Sequence, residues 1–282
     1  MSKTSQSTIA MTNASVPVVH EVAIIDELGR QKTTFIPGER SLTIYLDKRE
    51  VVTLMTLGAA PEALVLGYLR NQRLVESAED IESIQVDWET DSAAVKTRRA
   101  TVDIDAITSK RVVTTGCGQG TMFGGLMEDM AQIRLPDGPK LHQAAIVDLL
   151  EQIRAHETIY KKAGSVHACA VFERAGDDRV RLLHLIEDVG RHNAVDSISG
   201  LLWLAKRHGE DLIFFTTGRL TSEMVIKGAQ MGIPFLLTRS GVTQMGLELA
   251  KKTHLTLLSR CSGKHFEIYN APERVVFQTP ST

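Results

Sequence analysis

Residues 211–239 read "DLIFFTTGRLTSEMVIKGAQMGIPFLLTR", and this stretch decides the fold. The apolar run through "LIFF" ends in Thr216 and Thr217 and turns at Gly218, which is the pattern of a buried strand and its exit. A helix begins at Thr221 or Ser222 with Glu223 in its first turn, a composition that predicts capping. After Gly232 the segment "IPFLLTR" restores an apolar strand.

The same alternation extends in both directions. Upstream lie a helix near residues 141–160, strands "SVHACAVFE" and "RVRLLHLIE", and a helix through "AVDSISGLLWLAKRHG". Downstream come helix "TQMGLELAKKT", strand "LTLLSR" and a last strand "HFEIYN". Such a series predicts a layered α/β domain, with helices covering both faces of a mostly parallel or mixed sheet. Nearer the N-terminus the pattern is β-rich, with "VVHEVAIID", "SLTIYLD", "IESIQVDW" and "VKTRRATVDI" interrupted by one helix, "APEALVLGYLRNQ", whose Pro61 suits a first turn. The fold class is therefore α/β, α+β overall.

"RLPDGPK", residues 134–140, is the strongest punctuation in the chain and sets the boundary. The expected organisation is a disordered tail over residues 1–17, a β-rich domain over 18–137 and an α/β domain over 138–282. The tail is Ser/Thr-rich, with one early Lys and no apolar segment of the kind a signal peptide carries.

With 32 basic and 34 acidic residues and no block of one sign, the chain gives no reason to expect nucleic-acid or membrane binding by bulk charge. No apolar run approaches the roughly 20 residues of a membrane span. Three widely spaced cysteines, Cys117, Cys169 and Cys261, do not make a disulfide framework and fit a reducing compartment, so a soluble cytoplasmic protein is expected.

In open α/β sheets ligands lie beyond the carboxyl ends of the strands. Four such junctions stand out here. "EDVGRHNAVD" brings Glu187, Asp188, Arg191, His192 and Asn193 around Gly190; against a binding role stands a plain one, in which Asp188 or Asn193 caps the helix and Arg191 pairs with Glu187. "TTGRLTSE" offers Arg219, and "LLTRSGVTQ" offers Arg239 with Ser240 and Thr243. "SRCSGKHF" places Arg260, Lys264 and His265 around Gly263. Each alone is an ordinary turn, but together they outline one anion-binding rim.

Cys117 sits in "RVVTTGCGQGTMFGG", residues 111–125, between Gly116 and Gly118, where the backbone freedom suits a presented thiol. His167 and Cys169 share one strand face, and with Cys117 they contain zinc-ligand types. The sequence has neither "HxE" nor "PCxxC", so no metal site and no metal-dependent deaminase is expected, and Cys169 reads as a buried small residue.

Taken in order, "TTGCGQG", "GSVHACAVF", "EDVGRHNAVD", "TTGRLTSEMVIKGAQMGIP" and "LELAKKTHLTLLSRCSGKHFEIYN" resemble the FdhD/NarQ family of sulfurtransferases accessory to formate dehydrogenase. The resemblance implies a small N-terminal domain, a cytidine-deaminase-like α/β/α C-terminal domain and a homodimer. It implies that a cysteine desulfurase loads sulfur as a persulfide on Cys117. That sulfur then passes to the molybdenum of a bis(molybdopterin guanine dinucleotide) cofactor, the cargo, which formate dehydrogenase receives. By the same resemblance the cofactor-contacting segment is Arg260, Cys261, Ser262, Gly263, Lys264 and His265. The family commonly has a second cysteine three residues after the first, and this chain has Gly120 there, so an internal disulfide cannot release the sulfur. Two other classes stay open: a chaperone that binds the cofactor without sulfur chemistry, and a metal-dependent nucleotide hydrolase.

Overall fold

The computed structural model describes residues 9–98, 112–113, 120–121, 133–156 and 158–278. The N-terminal half holds strands β1 (Ala10–Met11), β2 (Val19–Ile25), β3 (Gln31–Pro37), β4 (Arg40–Leu46), β5 (Arg49–Thr56), β6 (Ile81–Asp87) and β7 (Ser92–Thr97), and helix α1 (Pro61–Asn71). Five of these strands form a sheet in the order β1-β6-β7-β4-β5, while β2 and β3 pair as a separate hairpin. Leu42, Ile44 and Leu46 alternate inward from β4, as period-two patterning requires, and pack with Leu64, Val65 and Leu69 of α1. Pro61 opens α1, where its missing N–H costs nothing.

The tail assignment fails over residues 9–17. β1 runs parallel to β6, with Ala10 opposite Ser83 and Met11 opposite Ile84. Glu62 accepts the Thr12 hydroxyl at 2.7 Å and the Ala14 N–H at 2.6 Å, so a carboxylate on α1 clamps a segment too short to show periodicity. Strands β3 and β5 are further additions to the sequence reading.

Two short strands, β8 (Val112–Val113) and β9 (Gly120–Thr121), pair antiparallel. They bracket residues 114–119; Cys117 itself lies outside the described residues.

The C-terminal half holds β10 (Leu141–His142), α2 (Gln143–Ala155), α3 (Ile159–Ala163), β11 (His167–Arg174), β12 (Val180–Asp188), α4 (Arg191–Leu204), β13 (Leu212–Thr216), α5 (Ser222–Gln230), β14 (Phe235–Thr238), α6 (Gln244–Thr253), β15 (Thr256–Ser262), β16 (His265–Asn270) and β17 (Val275–Val276). Its sheet is mixed, in the order β12-β11-β13-β14-β15-β16, with β13, β14 and β15 parallel and the outer strands antiparallel. Ile213 and Phe215 face α2, whereas Leu212 and Phe214 face α4, α5 and α6. That is a three-layer α/β/α unit, and both faces of each central strand are apolar because both are covered.

The halves meet where α1 crosses α4. A Cβ on Gly67 would stand 1.7 Å from the Asp196 carbonyl oxygen, and one on Gly200 would stand 2.0 Å from that of Ala63. Only glycine permits this approach. Asp188 adds a polar stitch, accepting the Thr56 hydroxyl at 2.6 Å and the Leu57 N–H at 3.1 Å.

Candidate functional site

The parallel strands β13, β14 and β15 end on one edge of the sheet, and the pairing of His167 with Asp188 brings the start of β11 and the end of β12 to the same edge. All four junctions singled out in the sequence therefore converge. Strand-end threonines fix the turns. Thr216 Oγ1 donates to the Ala168 carbonyl at 3.1 Å and accepts the Gly218 N–H at 3.1 Å. Thr238 Oγ1 donates to the Gly218 carbonyl at 2.6 Å and accepts the Ser240 N–H at 2.9 Å.

Capping differs from expectation. Thr221 precedes α5 but its side chain caps nothing, and α4 begins after Gly190 without a side-chain cap. Thr243 does cap α6, through the Gly246 N–H at 3.2 Å. Asp188 binds the Gly190 N–H and the Asn193 amide, while Glu187 accepts the Ile159 and Tyr160 N–H groups and so secures the start of α3. Glu187 is thus spent on backbone and is not in a salt bridge with Arg191.

Arg191, Arg219 and Arg239 form no salt bridge among the described residues, although Arg239 lies over the Tyr160 ring at 5.2 Å. All three act on His167, whose basicity is lowered first by burial and then by these guanidiniums. On the α2 side of the sheet a cavity of about 280 Å³ opens between Tyr160, Leu185, Phe215, Arg239 and Cys261. Its walls are apolar and its rim is cationic, with Arg154 and Lys161 completing it.

The segment 260–265 divides. Cys261, Ser262 and Gly263 line the cavity. Arg260 is exposed, has a left-handed backbone at φ 54° and donates its N–H to the Ser240 carbonyl at 3.0 Å. Lys264 lies in a different groove, beside Asp178 and Arg179, and His265 is exposed near Glu267. The tight turn between β15 and β16 reverses the chain, so its six residues cannot all face one ligand.

Both described cysteines are free and buried. Burial pushes Cys169 and Cys261 up to about 12, and Cys169 donates to Thr216 Oγ1 at 3.4 Å within the core.

A buried polar network escaped the sequence reading. Lys227 of α5 lies 2.9 Å from Asp196 of α4 and 3.2 Å from Glu223, one turn back on its own helix. Asn71 of α1 donates to Asp196 at 2.7 Å, and Ser199 donates to Asn71 at 3.0 Å. His192 is buried here, with Nε2 3.2 Å from Glu223 but off the line of a hydrogen bond. It packs into the network, and Arg191 beside it lies buried against the β13–α5 turn at Gly218. The available signal was the i,i+4 spacing of His192 with Asp196 and of Glu223 with Lys227.

Burial, with Lys227 second, lowers His192 from its ordinary value near 6.5 to about 3. A lowered histidine binds its proton in the unfolded chain first, so its contribution to stability is full above about pH 6.5 and is lost as pH falls toward 3. His192→Gln should therefore flatten the acid limb of stability against pH, measured by urea unfolding from pH 7 to 4. An unchanged slope contradicts the neutral, buried imidazole.

Fold and site together define a class: a layered α/β/α protein with arginines gathered at its strand exits and an apolar cavity beside them. The chain belongs to the FdhD/NarQ family, whose model matches residues 37–276. It is 24% identical over 257 residues to the sulfur carrier protein FdhD of Wolinella succinogenes, covering 89% of this chain and 88% of that one. To the sulfur carrier protein FdhD of Sulfolobus acidocaldarius it is 29% identical, covering 86% and 91%. A crystal structure of a protein described as a formate dehydrogenase accessory protein from Desulfotalea psychrophila superposes with a TM-score of 0.72 at 26% identity, covering 92% of this chain and all of that one. No helix among the described residues is long and apolar enough to cross a membrane.

Proposed function

We propose that this protein is a sulfurtransferase that serves formate dehydrogenase. Cys117 accepts sulfur from a cysteine desulfurase as a persulfide and passes it to the molybdenum of a bis(molybdopterin guanine dinucleotide) cofactor, held as cargo at the sheet edge. The protein works as a cytoplasmic homodimer. The observation that carries this reading is the meeting of Arg191, Arg219 and Arg239, none of them in a salt bridge among the described residues, beside a cavity with apolar walls. A guanine-bearing diphosphate has the two parts such a surface complements, a flat ring and an anionic chain. Relatives named as sulfur carriers support the chemistry.

In the loading step the Cys117 thiolate attacks the terminal sulfur of the desulfurase persulfide. A new sulfur–sulfur bond forms on Cys117 and the desulfurase cysteine leaves as thiolate. Cys117 leaves as thiolate when an acceptor nucleophile attacks its outer, sulfane sulfur and forms a new bond to it, and a thiol reductant supplies two electrons where the sulfur is delivered as sulfide, so one cysteine suffices for carriage. Arg239, Cys261, Ser262 and Gly263 would seat the ring, with Arg191, Arg219 and Arg260 on the anionic chain. Lys264 and His265, which point elsewhere, would serve only at the margin.

Mass spectrometry tests the reading after incubation with a cysteine desulfurase and cysteine. The expected result is one added sulfur atom on the peptide containing Cys117. Sulfur on Cys169 or Cys261 instead overturns the assignment.

A further inference from the structure

We infer that α3 is the movable wall of the apolar cavity, and that the β2–β3 hairpin is the strap that holds it shut, through the packing of Phe35 against Lys162. The gate stands on how the cavity walls are anchored. It rests on the cargo-binding reading above only for the identity of what it admits.

The cavity has walls of two kinds. Ala168, Phe215 and Cys261 belong to sheet strands and Leu150 to α2, and all four are buried side chains of anchored elements. Thr158, Tyr160 and Lys161 belong to α3 and its cap, and no residue of α3 is buried. A helix of five residues does not hold itself. Its start is pinned by Glu187, which accepts the Ile159 and Tyr160 N–H groups, and by Thr158, which accepts that of Lys161 at 3.2 Å. Beyond its end the chain reverses through Gly164 and Ser165, both left-handed at φ 68° and 54°. On this side the contact is with the hairpin: the Lys162 ammonium lies 4.1 Å from the centre of the Phe35 ring, within the range of a cation–π attraction.

The hairpin needs α3 in return. It stands apart from the five-stranded sheet and packs chiefly on α3 among the described elements. A two-stranded hairpin is marginal by itself in water, and this one leaves Ile25 and Leu28 exposed. Its turn is nonetheless locked, because Asp26 accepts the Leu28 and Arg30 N–H groups, each at 3.0 Å. The arm is therefore ordered within and lightly held, and arm and α3 form one unit of low local stability that opens together. Opening draws Tyr160 away from Arg239, whose guanidinium lies 5.2 Å from its ring centre, and uncovers Cys261, which is 1% exposed in the closed cavity.

The test is alkylation of the full chain with N-ethylmaleimide, the rate at each cysteine being read by mass spectrometry of its peptide. Phe35→Ala should speed modification of Cys261 about two- to fivefold, the worth of one exposed cation–π contact expressed as a change in the open population. Cys169, enclosed on the opposite face of the sheet against α4, should be unaffected and reports any global loosening. Phe35→Trp keeps a ring over Lys162 and should restore the wild-type rate. Ile36→Ala, on the other face of the same strand, should change nothing. Hydrogen exchange at the Lys162 and Gly164 amides, which donate to the Thr158 and Tyr160 carbonyls, should quicken in Phe35→Ala by the same factor. A Cys261 rate indifferent to Phe35, or one that rises only together with Cys169, overturns the strap. Faster amide exchange with no faster alkylation overturns α3 as the gate. Guanosine should protect Cys261 in the wild type; absence of protection counts against ring binding alone, because the effect of Phe35 is measured without ligand.

Discussion

Replacing Cys117 by alanine is expected to abolish sulfur loading and the activation of formate dehydrogenase, while Cys169→Ala and Cys261→Ala still load. Sulfur exchange proceeds through thiolate, and the two other thiols are pushed up to about 12 by burial. At pH 7 that leaves a thiolate fraction on the order of one in a hundred thousand, so neither can stand in. Cys169 is fully enclosed between the strand and α4, and Cys261 is a wall of the cavity. Cys261→Ala should therefore alter cargo affinity more than loading. With Gly120 at the position of a second loop cysteine, no neighbouring thiol rescues the variant. The measurement pairs mass spectrometry of loaded sulfur with formate oxidation in cells carrying each variant. Active formate dehydrogenase with Cys117→Ala would sink sulfur carriage and leave a cofactor-binding chaperone.

The C-terminal architecture was legible because its central strands are short, apolar on both faces and separated by helices with polar starts. "LIFFT" and "FLLT" need no tertiary information to be read as strands. The convergence of Arg191, Arg219 and Arg239 followed from the same logic, since parallel strands end on one edge. Burial was less legible. His192 and Asn193 look like ligands in "EDVGRHNAVD", yet one packs on Glu223 and the other donates to the Met55 carbonyl at 2.6 Å. Their surroundings come from α5 and β5, distant in sequence. Asp196, Glu223 and Lys227 sit in helices where charge ordinarily marks the solvent face, and only the crossing of α1 over α4 turns that face inward. The ordering of residues 9–17 depends on Glu62 and β6, which local composition cannot announce.

Lys227→Met should destabilise the fold by about 3–5 kcal/mol at neutral pH, because removing one partner leaves buried charges uncompensated. Lys227 and Asp196 are both essentially inaccessible, and Glu223 is buried beside them. The pH dependence gives the effect a signature. In the wild type, burial raises Asp196, whereas for Glu223 burial is outweighed by the attraction and hydrogen bond of Lys227, with Arg191 adding to them, and the carboxyl is lowered. Asp196 and Glu223 together hold Lys227 above its ordinary 10.5, so its stabilisation is full below that value and decays as pH rises through it. Without the ammonium both carboxyls shift upward and take up protons in the folded state more readily than in the unfolded one. The variant should thus recover as pH falls. The gap between wild type and variant, measured by urea unfolding, is expected to be widest near neutrality and to narrow below about pH 5. Asp196→Asn combined with Lys227→Met should cost less than the lysine change alone, since the stranded charge is gone. A gap that stays constant from pH 8 to 5 contradicts a buried ionic network.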